Sequence, residues 1–408
     1  MNNKANVPWR RKKLADVAEV QTGIAKNNEK ALIDPVELPY LRVANVQDGR
    51  LDLREIKMIA VESSRVSRYA LEDGDVLMTE GGDFDKLGRG TVWRSQIVPC
   101  LHQNHVFVVR VNKKYLLPEF LAAYCAAEPG RRYFQACSKQ TTNLASINSS
   151  QLKALSLRLP SLDEQRRIVH VLDAADRLIS LDEQLLAQRE ARYQSLLQAV
   201  LRPVDQQRAK GWRRVNLGDI FEERDERSGD LPLLAITGGH GVVPRDELER
   251  RDTSAEDKSN YKVIRKGDIG YNTMRMWQGV FGLSAHDGIV SPAYTVVTPD
   301  RTRILGEFAG HLFSHPRVVH TFHRYSQGLV DDTLQLKYPH FSEVRLPIPD
   351  VPAQRRIVKT LDAQLREVEQ LRRMVELRRQ QHRGLMQQLL TGKQRLTRDL
   401  PSMEPGHV

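Results

Sequence analysis

Side chains able to fork across the edge of a base pair gather at matching places in this chain. Arginine offers two parallel donors, which suit guanine, while asparagine and glutamine pair a donor with an acceptor, which suits adenine. In the first half the glycine-rich run EGGDFDKLGRGTVWR (80–94) carries Lys86, Arg89 and Arg94. His102-Gln103-Asn104-His105 follows, and KQTTN (139–143) adds Lys139, Gln140 and Asn143. In the second half YNTMRMWQG (271–279) holds Asn272, Arg275, Trp277 and Gln278, with Lys337, Tyr338 and His340 further on. Such sets combine cations for phosphates with forked groups for base edges. Any one of these residues alone reads more readily as a solvated loop residue. Their clustering beside an echoed Gly-Asp strand makes them candidates for nucleic-acid contact.

Catalytic chemistry finds less support. Cys100, His102 and His105 resemble a metal cluster, but no second cluster at zinc spacing follows. Gly81-Gly82-Asp83-Phe84-Asp85-Lys86 is neither a phosphate-cradling loop nor a dinucleotide fingerprint. Asp83 and Asp85 could hold magnesium, yet an acidic pair in a glycine turn is more often structural. Glu55-Ile56-Lys57 and Glu256-Asp257-Lys258 supply only the Glu-x-Lys half of a nuclease signature. Tetrapeptides of the NPPY or DPPY type, which mark adenine methyltransferases, do not occur. The expectation is a chain with no catalytic residue and no metal of its own.

Composition narrows the partner. The 408 residues are 40% hydrophobic and 28% charged, ordinary for a globular protein, and long enough for two or three domains. A net charge of +11 points to a polyanion, most economically nucleic acid. Three cysteines without framework spacing fit a reducing cytoplasm, and no apolar run approaches 18 residues, so no membrane span is expected.

The elements that must position the candidates occur twice. QRRIVHVLD (165–173) returns as QRRIVKTLD (354–362), with seven of nine positions identical. WRRKKLADV (9–17) returns as WRRVNLGDI (212–220), and GDVLMTE (74–80) as GDIGYNT (267–273). The three echoes keep their order, so the chain is two similar halves, each a globular region followed by one long helix. Ser161 with Glu164 forms a capping box for the first helix; Asp350 caps the second, with Pro352 in its first turn. Pro203 and Gly392 stop them.

Wound at about 100° per residue, Ile168, Val171, Leu172, Ala175, Leu178, Ile179, Leu185, Leu186, Tyr193, Leu196, Leu197 and Val200 share one face. Ile357, Leu361, Val368, Leu371, Met374, Val375, Leu385, Met386 and Leu389 do so in the second helix. Arg189 and Arg378 interrupt the two stripes at one matching register, and Asp182 is a further exception. Polar residues inside a helical seam fix its register. Each helix would be a rod of about 60 Å, and its natural partner is its duplicate. Between the framing elements, VELPYLRVANV (36–46), GDVLMT (74–79), HVFVVRV (105–111), LPLLAIT (231–237), GDIGYNT (267–273) and AYTVVT (293–298) read as strands. Segments near 117–128 and 305–314 read as helices. The fold class is α/β (α+β), repeated.

Taken as an ordered set over roughly 9–393, the echoes, the EQRRIV and AQRRIV helix openings and the WRRxxLxD starts resemble the specificity subunit of type I restriction–modification systems. The resemblance implies target-recognition domains at 1–158 and 203–347 and spacer helices at 159–202 and 348–393, pairing as an antiparallel coiled coil. Residues 394–408 would be a disordered tail. It also implies that each domain reads one half of a split double-stranded DNA site. The helices would dock two methyltransferase subunits and, through the complex, restriction subunits, by way of Ile168, Leu172, Ile179, Leu186, Arg189, Tyr193 and Leu196 on the first. Ile357, Leu361, Val368, Leu371, Val375, Arg378 and Leu385 would serve on the second. S-adenosylmethionine, ATP and magnesium would then sit on partner subunits. The alternatives are the specificity subunit of a bipartite system of Type IIB kind, and a nuclease or methyltransferase with a degenerate site.

Overall fold

The two echoed ends of each globular region turn out to be partners. In a computed structural model, which describes residues 8–25, 32–82, 84, 87–140, 145–201, 210–238, 241–248, 257–330 and 333–396, the Trp-Arg-Arg segments lie in the strands Arg10–Lys13 and Trp212–Asn216 or at their edge. Each pairs antiparallel with the residues just ahead of a long helix, Arg10 opposite Leu159 and Trp212 opposite Pro349. The helices start directly after the expected caps Ser161 and Asp350, at Leu162–Val200 and Val351–Leu390. Leu157, Leu159, Leu346 and Ile348 are buried as strand residues, which holds the backbone extended up to the caps. Asp350 Oδ1 accepts from Ala353 N at 2.8 Å as expected. Ser161 Oγ accepts from Glu164 N at 3.3 Å, but the carboxylate of Glu164 does not close the box. It turns instead to Arg395, Trp9 and Leu396.

The chain divides into two units, Met1–Asp182 with Met374–Val408, and Glu183–Arg373. Each unit is built on a four-stranded antiparallel sheet. In the first the order is Ala18–Thr22, Val106–Val111, Val76–Thr79, Gly90–Val92; in the second it is Phe221–Glu223, Tyr294–Pro299, Ile269–Asn272, Phe281–Leu283. Helices Pro118–Ala126 and Glu128–Cys137 bury Phe120, Leu121 and Phe134 against the first sheet. Gly306–Phe313 and Pro316–Tyr325 bury Phe308, Phe313 and Phe322 in the second.

The Gly-Asp echo heads the third strand of each sheet, for two reasons. Gly74 and Gly267 have φ of +91° and +95°, where a side chain would be strained. Asp75 and Asp268 are only 1% and 2% exposed and close the same turn, accepting from Glu72 N and Arg265 N at 2.8 Å. A buried carboxylate needs a cation. Arg110 supplies it to Asp75 through Nε and Nη2, both at 2.8 Å. In the second unit the position of Arg110 is taken by Thr298, and Arg224 reaches Asp268 from the neighbouring chain segment at 2.7 Å.

Within each unit, segments of the two long helices run antiparallel. In the first, Asp176 meets His382 at 3.3 Å and Asp182 meets Arg378 at 2.6 Å, with Ile168, Leu172, Leu389 and Leu390 in the core. In the second, Glu190 meets Arg372 at 2.7 Å and Arg189 meets Glu367 at 3.8 Å, with Tyr193, Leu197, Leu361 and Val368 in the core. The seam follows a strict heptad spacing: 168, 172, 175, 179, 182, 186, 189, 193, 196, 200 on one helix and 357, 361, 364, 368, 371, 375, 378, 382, 385, 389 on the other. All of these positions are buried or half-buried. Three residues expected on the buried face lie off that repeat and are exposed: Leu178 at 49%, Leu185 at 38% and Met374 at 37%. A straight 3.6-residue helix drifts away from a 3.5-residue seam, so they face outward.

Candidate nucleic-acid interface

In both units the third strand ends in the same hydrogen-bond frame. Thr79 N donates to Arg89 O at 3.1 Å, and Asn272 N to Val280 O at 3.0 Å. One residue on, Ile147 N donates to Glu80 O at 2.9 Å, and Leu336 N to Thr273 O at 2.8 Å. Two loops are thus tied to one sheet end in each unit, and the candidate residues distribute around them.

In the first unit this end gathers Arg89, Gln103, Asn104 and His105, with Lys139 exposed on a strand that pairs with Ala145–Ser146 and, through it, with Gly81–Gly82. Among the described residues, Arg89 Nε is buried and meets no hydrogen-bond partner. The 102–105 turn is held closely against Gly23, where a Cβ would lie 2.1 Å from His102 O. Gln140 lies on the same strand as Lys139, while Lys86, Asn143, Asp83, Asp85 and Glu256 fall outside the described residues or side chains. Arg94 is not brought here. It follows Val92 at the opposite sheet end, where Val92 pairs with Val76, and its guanidinium binds the Glu119 carboxylate. There it lines a groove with Asp173, Asp176 and His382.

In the second unit Asn272 Oδ1 accepts from Met274 N at 3.0 Å, which shapes the turn. Arg275 is exposed, with Nη1 3.2 Å from Gln278 Oε1. Trp277 donates to Met274 O at 2.9 Å and stands edge-on to His323, ring centroids 5.5 Å apart. Lys337 is exposed and His340 half-buried. Tyr338 has a scaffold part: its hydroxyl donates to Phe221 O at 2.7 Å, its ring stacks on Phe341, and burial pushes its phenol up.

The metal reading of Cys100, His102 and His105 meets closed chemistry. Burial pushes the Cys100 thiol up to about 12, and His102 Nδ1 lies 2.8 Å from Val106 O with burial lowering its basicity. Among the described residues no group of three or more His, Cys, Asp or Glu is placed to hold a metal ion. No described helix is long and apolar enough to cross a membrane.

Sequence reasoning missed two sets of residues. The first is Gln165 with Gln354, both fully buried. Gln165 Nε2 donates to Tyr115 O and Pro160 O, and its Oε1 accepts from Leu117 N at 2.9 Å. Gln354 repeats this with Arg303 O, Pro349 O and Leu305 N. Their identity between the two echoes was the available signal. The second is the chain Tyr193–His311–Asp362, with Tyr193 Oη 2.9 Å from His311 Nδ1 and His311 Nε2 2.7 Å from Asp362. Burial pushes the Tyr193 phenol up to about 12. A histidine 118 residues from its tyrosine carries no sequence signal.

Residues 6–191 match the family described as the type I restriction modification DNA specificity domain. The EcoKI type I restriction enzyme specificity subunit of Escherichia coli strain K12 is 26% identical over 45% of this chain and 39% of its own length. The StySPI specificity subunit of Salmonella potsdam is 24% identical over 58% of this chain and 52% of its own. The match thus spans about half the length of these relatives or less. The S subunit of a type I restriction–modification system from M. genitalium covers 96% of this chain and 98% of its own, with a TM-score of 0.54 at 11% identity. A structure described for assembly and conformational transition of the type I system has a TM-score of 0.57 at 17% identity, over 95% and 98% of the two chains. These last two establish the fold. Over residues 6–191 the chain is thus similar to the type I restriction modification DNA specificity domain, and these relatives are specificity subunits of type I restriction enzymes.

Proposed function

We propose that this chain is the sequence-reading subunit of a type I restriction–modification complex. Each unit reads one half of a split site in double-stranded DNA with the loops at the Thr79 and Asn272 sheet ends. The paired helices set the gap between half-sites and dock two methyltransferase subunits, which in turn bring restriction subunits. The chain is non-catalytic by itself; adenine-N6 methylation and ATP-dependent cleavage, with S-adenosylmethionine, ATP and magnesium, belong to those partners in the cytoplasm. The observation that carries this reading is one backbone frame built twice, with unlike side chains on its loops. A shared scaffold with separate contact residues suits two different half-sites on one duplex.

Co-expression with the cognate methyltransferase subunit, followed by mapping of methylated adenines across the host genome, tests it. A discontinuous motif with a fixed unspecified gap is expected. A continuous motif, or DNA turnover by the isolated chain with magnesium and S-adenosylmethionine, would overturn it.

A further inference from the structure

The position just after the third strand is where the two units part company. In the second unit Thr273 turns its hydroxyl back onto Ala293 O at 2.5 Å, so that side chain serves the frame. In the first unit Glu80 occupies the place, its backbone N donating to His105 O at 3.0 Å, and its side chain is left for other use. Glu80 Oε2 lies 2.5 Å from His105 Nδ1, and His105 Nε2 lies 3.3 Å from Asn104 Nδ2. His105 is 55% exposed, and Glu80 30%.

The contacts of this chain of three fix which atoms donate. An ionised carboxylate only accepts, so His105 Nδ1 donates to Glu80. The amide nitrogen of Asn104 faces His105 Nε2, which accepts from it. That leaves Asn104 Oδ1 and its second N–H for an outside group offering one donor beside one acceptor. Adenine presents that pattern at N6 and N7, whereas guanine presents two acceptors.

Resting on the DNA-reading function proposed above, we infer that Glu80–His105–Asn104 is a specificity-determining cluster for an adenine in the half-site of the first unit. Asn104 contacts the base. Glu80 and His105 are positioning residues that decide which way its amide faces. The second unit, with Thr273 turned inward, reads its half-site without this device.

The test uses the assembled complex with its methyltransferase subunits. Wild type, Asn104→Ala and Glu80→Gln are each offered a library of random-sequence duplexes at fixed salt, and the bound duplexes are sequenced. Asn104→Ala should relax one A·T position by roughly five- to a hundredfold. Glu80→Gln can donate to His105 and so free the amide to reverse; the preference for adenine at the same position should then weaken. The other half-site should stay intact in both variants, which shows that they fold. Relaxation at different positions in the two variants, a G·C pair selected by the wild type at the affected position, or full selectivity in Asn104→Ala would overturn the inference. If a variant does not assemble, wild type is tested with 7-deazaadenine, which lacks the N7 acceptor, at each adenine of each half-site. Weakened binding at one adenine supports the assignment; unchanged binding at all of them refutes it. A wild-type selection without any split motif would instead overturn the DNA-reading function itself.

Discussion

Gln165 and Gln354 are buried amides whose donors and acceptor all meet backbone groups around the helix starts. Replacing either by leucine keeps the volume but orphans an N–H and two carbonyls. Gln165→Leu and Gln354→Leu should each lose about 1–3 kcal/mol in denaturant unfolding, with similar values for the two. Glu164 carries a different signature. Its burial, which alone would raise the carboxyl, is outweighed by Arg395, Trp9 and Leu396, and the net effect holds it below its ordinary 4.5. A depressed carboxyl contributes stability above its unfolded value and loses it as the pH falls through the folded one. Glu164→Gln should therefore melt lower than wild type at pH 7, and the gap should close as the pH falls below the ordinary glutamate range. A gap that stays constant into acid would contradict the clamp. This contact also places Arg395 and Leu396, which the sequence assigned to a loose tail. Cys125, whose thiol burial raises to about 12, should resist alkylation at pH 8 until the protein unfolds, while half-buried Cys137 reacts first.

At the scale of the element, the polar members of the helix seam are not equivalent. Arg189 and Arg378 occupy the same place in the repeat, yet Arg378 meets Asp182 at 2.6 Å and Arg189 meets Glu367 at 3.8 Å. Asp182 is the more enclosed acid, its side chain 16% exposed against 47% for Glu367. A double-mutant cycle on Arg378 and Asp182 should give a favourable coupling of about 0.5–1 kcal/mol, and one on Arg189 and Glu367 a value near zero. The apolar stripe itself was legible, because periodicity is local information. Which of Leu178 and Ile179 would lie in the seam was not, since a 3.6-residue wheel and a 3.5-residue seam diverge only over several turns. Tyr193–His311–Asp362 shows the same limit. The tyrosine reads as one more seam residue, and only the fold brings His311 against it.

For the whole molecule, the proposed division of labour separates reading from spacing. Inserting seven residues near Ser180 together with seven near Glu369 should lengthen the unspecified gap in the methylation motif while both half-sites stay unchanged. Altered half-site sequences would show that the helices do more than set distance. The net charge of +11 implies counterion release on binding, so affinity for any duplex should fall steeply with salt, while the preference for the split site persists.

The amino-acid sequence by itself determined the duplication, the order of the framing elements, the two long helices and the class of the globular parts. Each of these rests on local periodicity or on a comparison of the chain with itself. Tertiary structure alone decided who neutralises what and which residues meet. Asp75 and Asp268 are the same echo, but their arginines come from different strands or their flanks, because a buried carboxylate can be answered from any neighbour within reach. Arg94 and Arg89 are five residues apart in one glycine-rich run, yet an antiparallel strand carries them to opposite ends of a sheet. Long-range pairing of that kind leaves no periodic trace, and it governs where the reading chemistry can be.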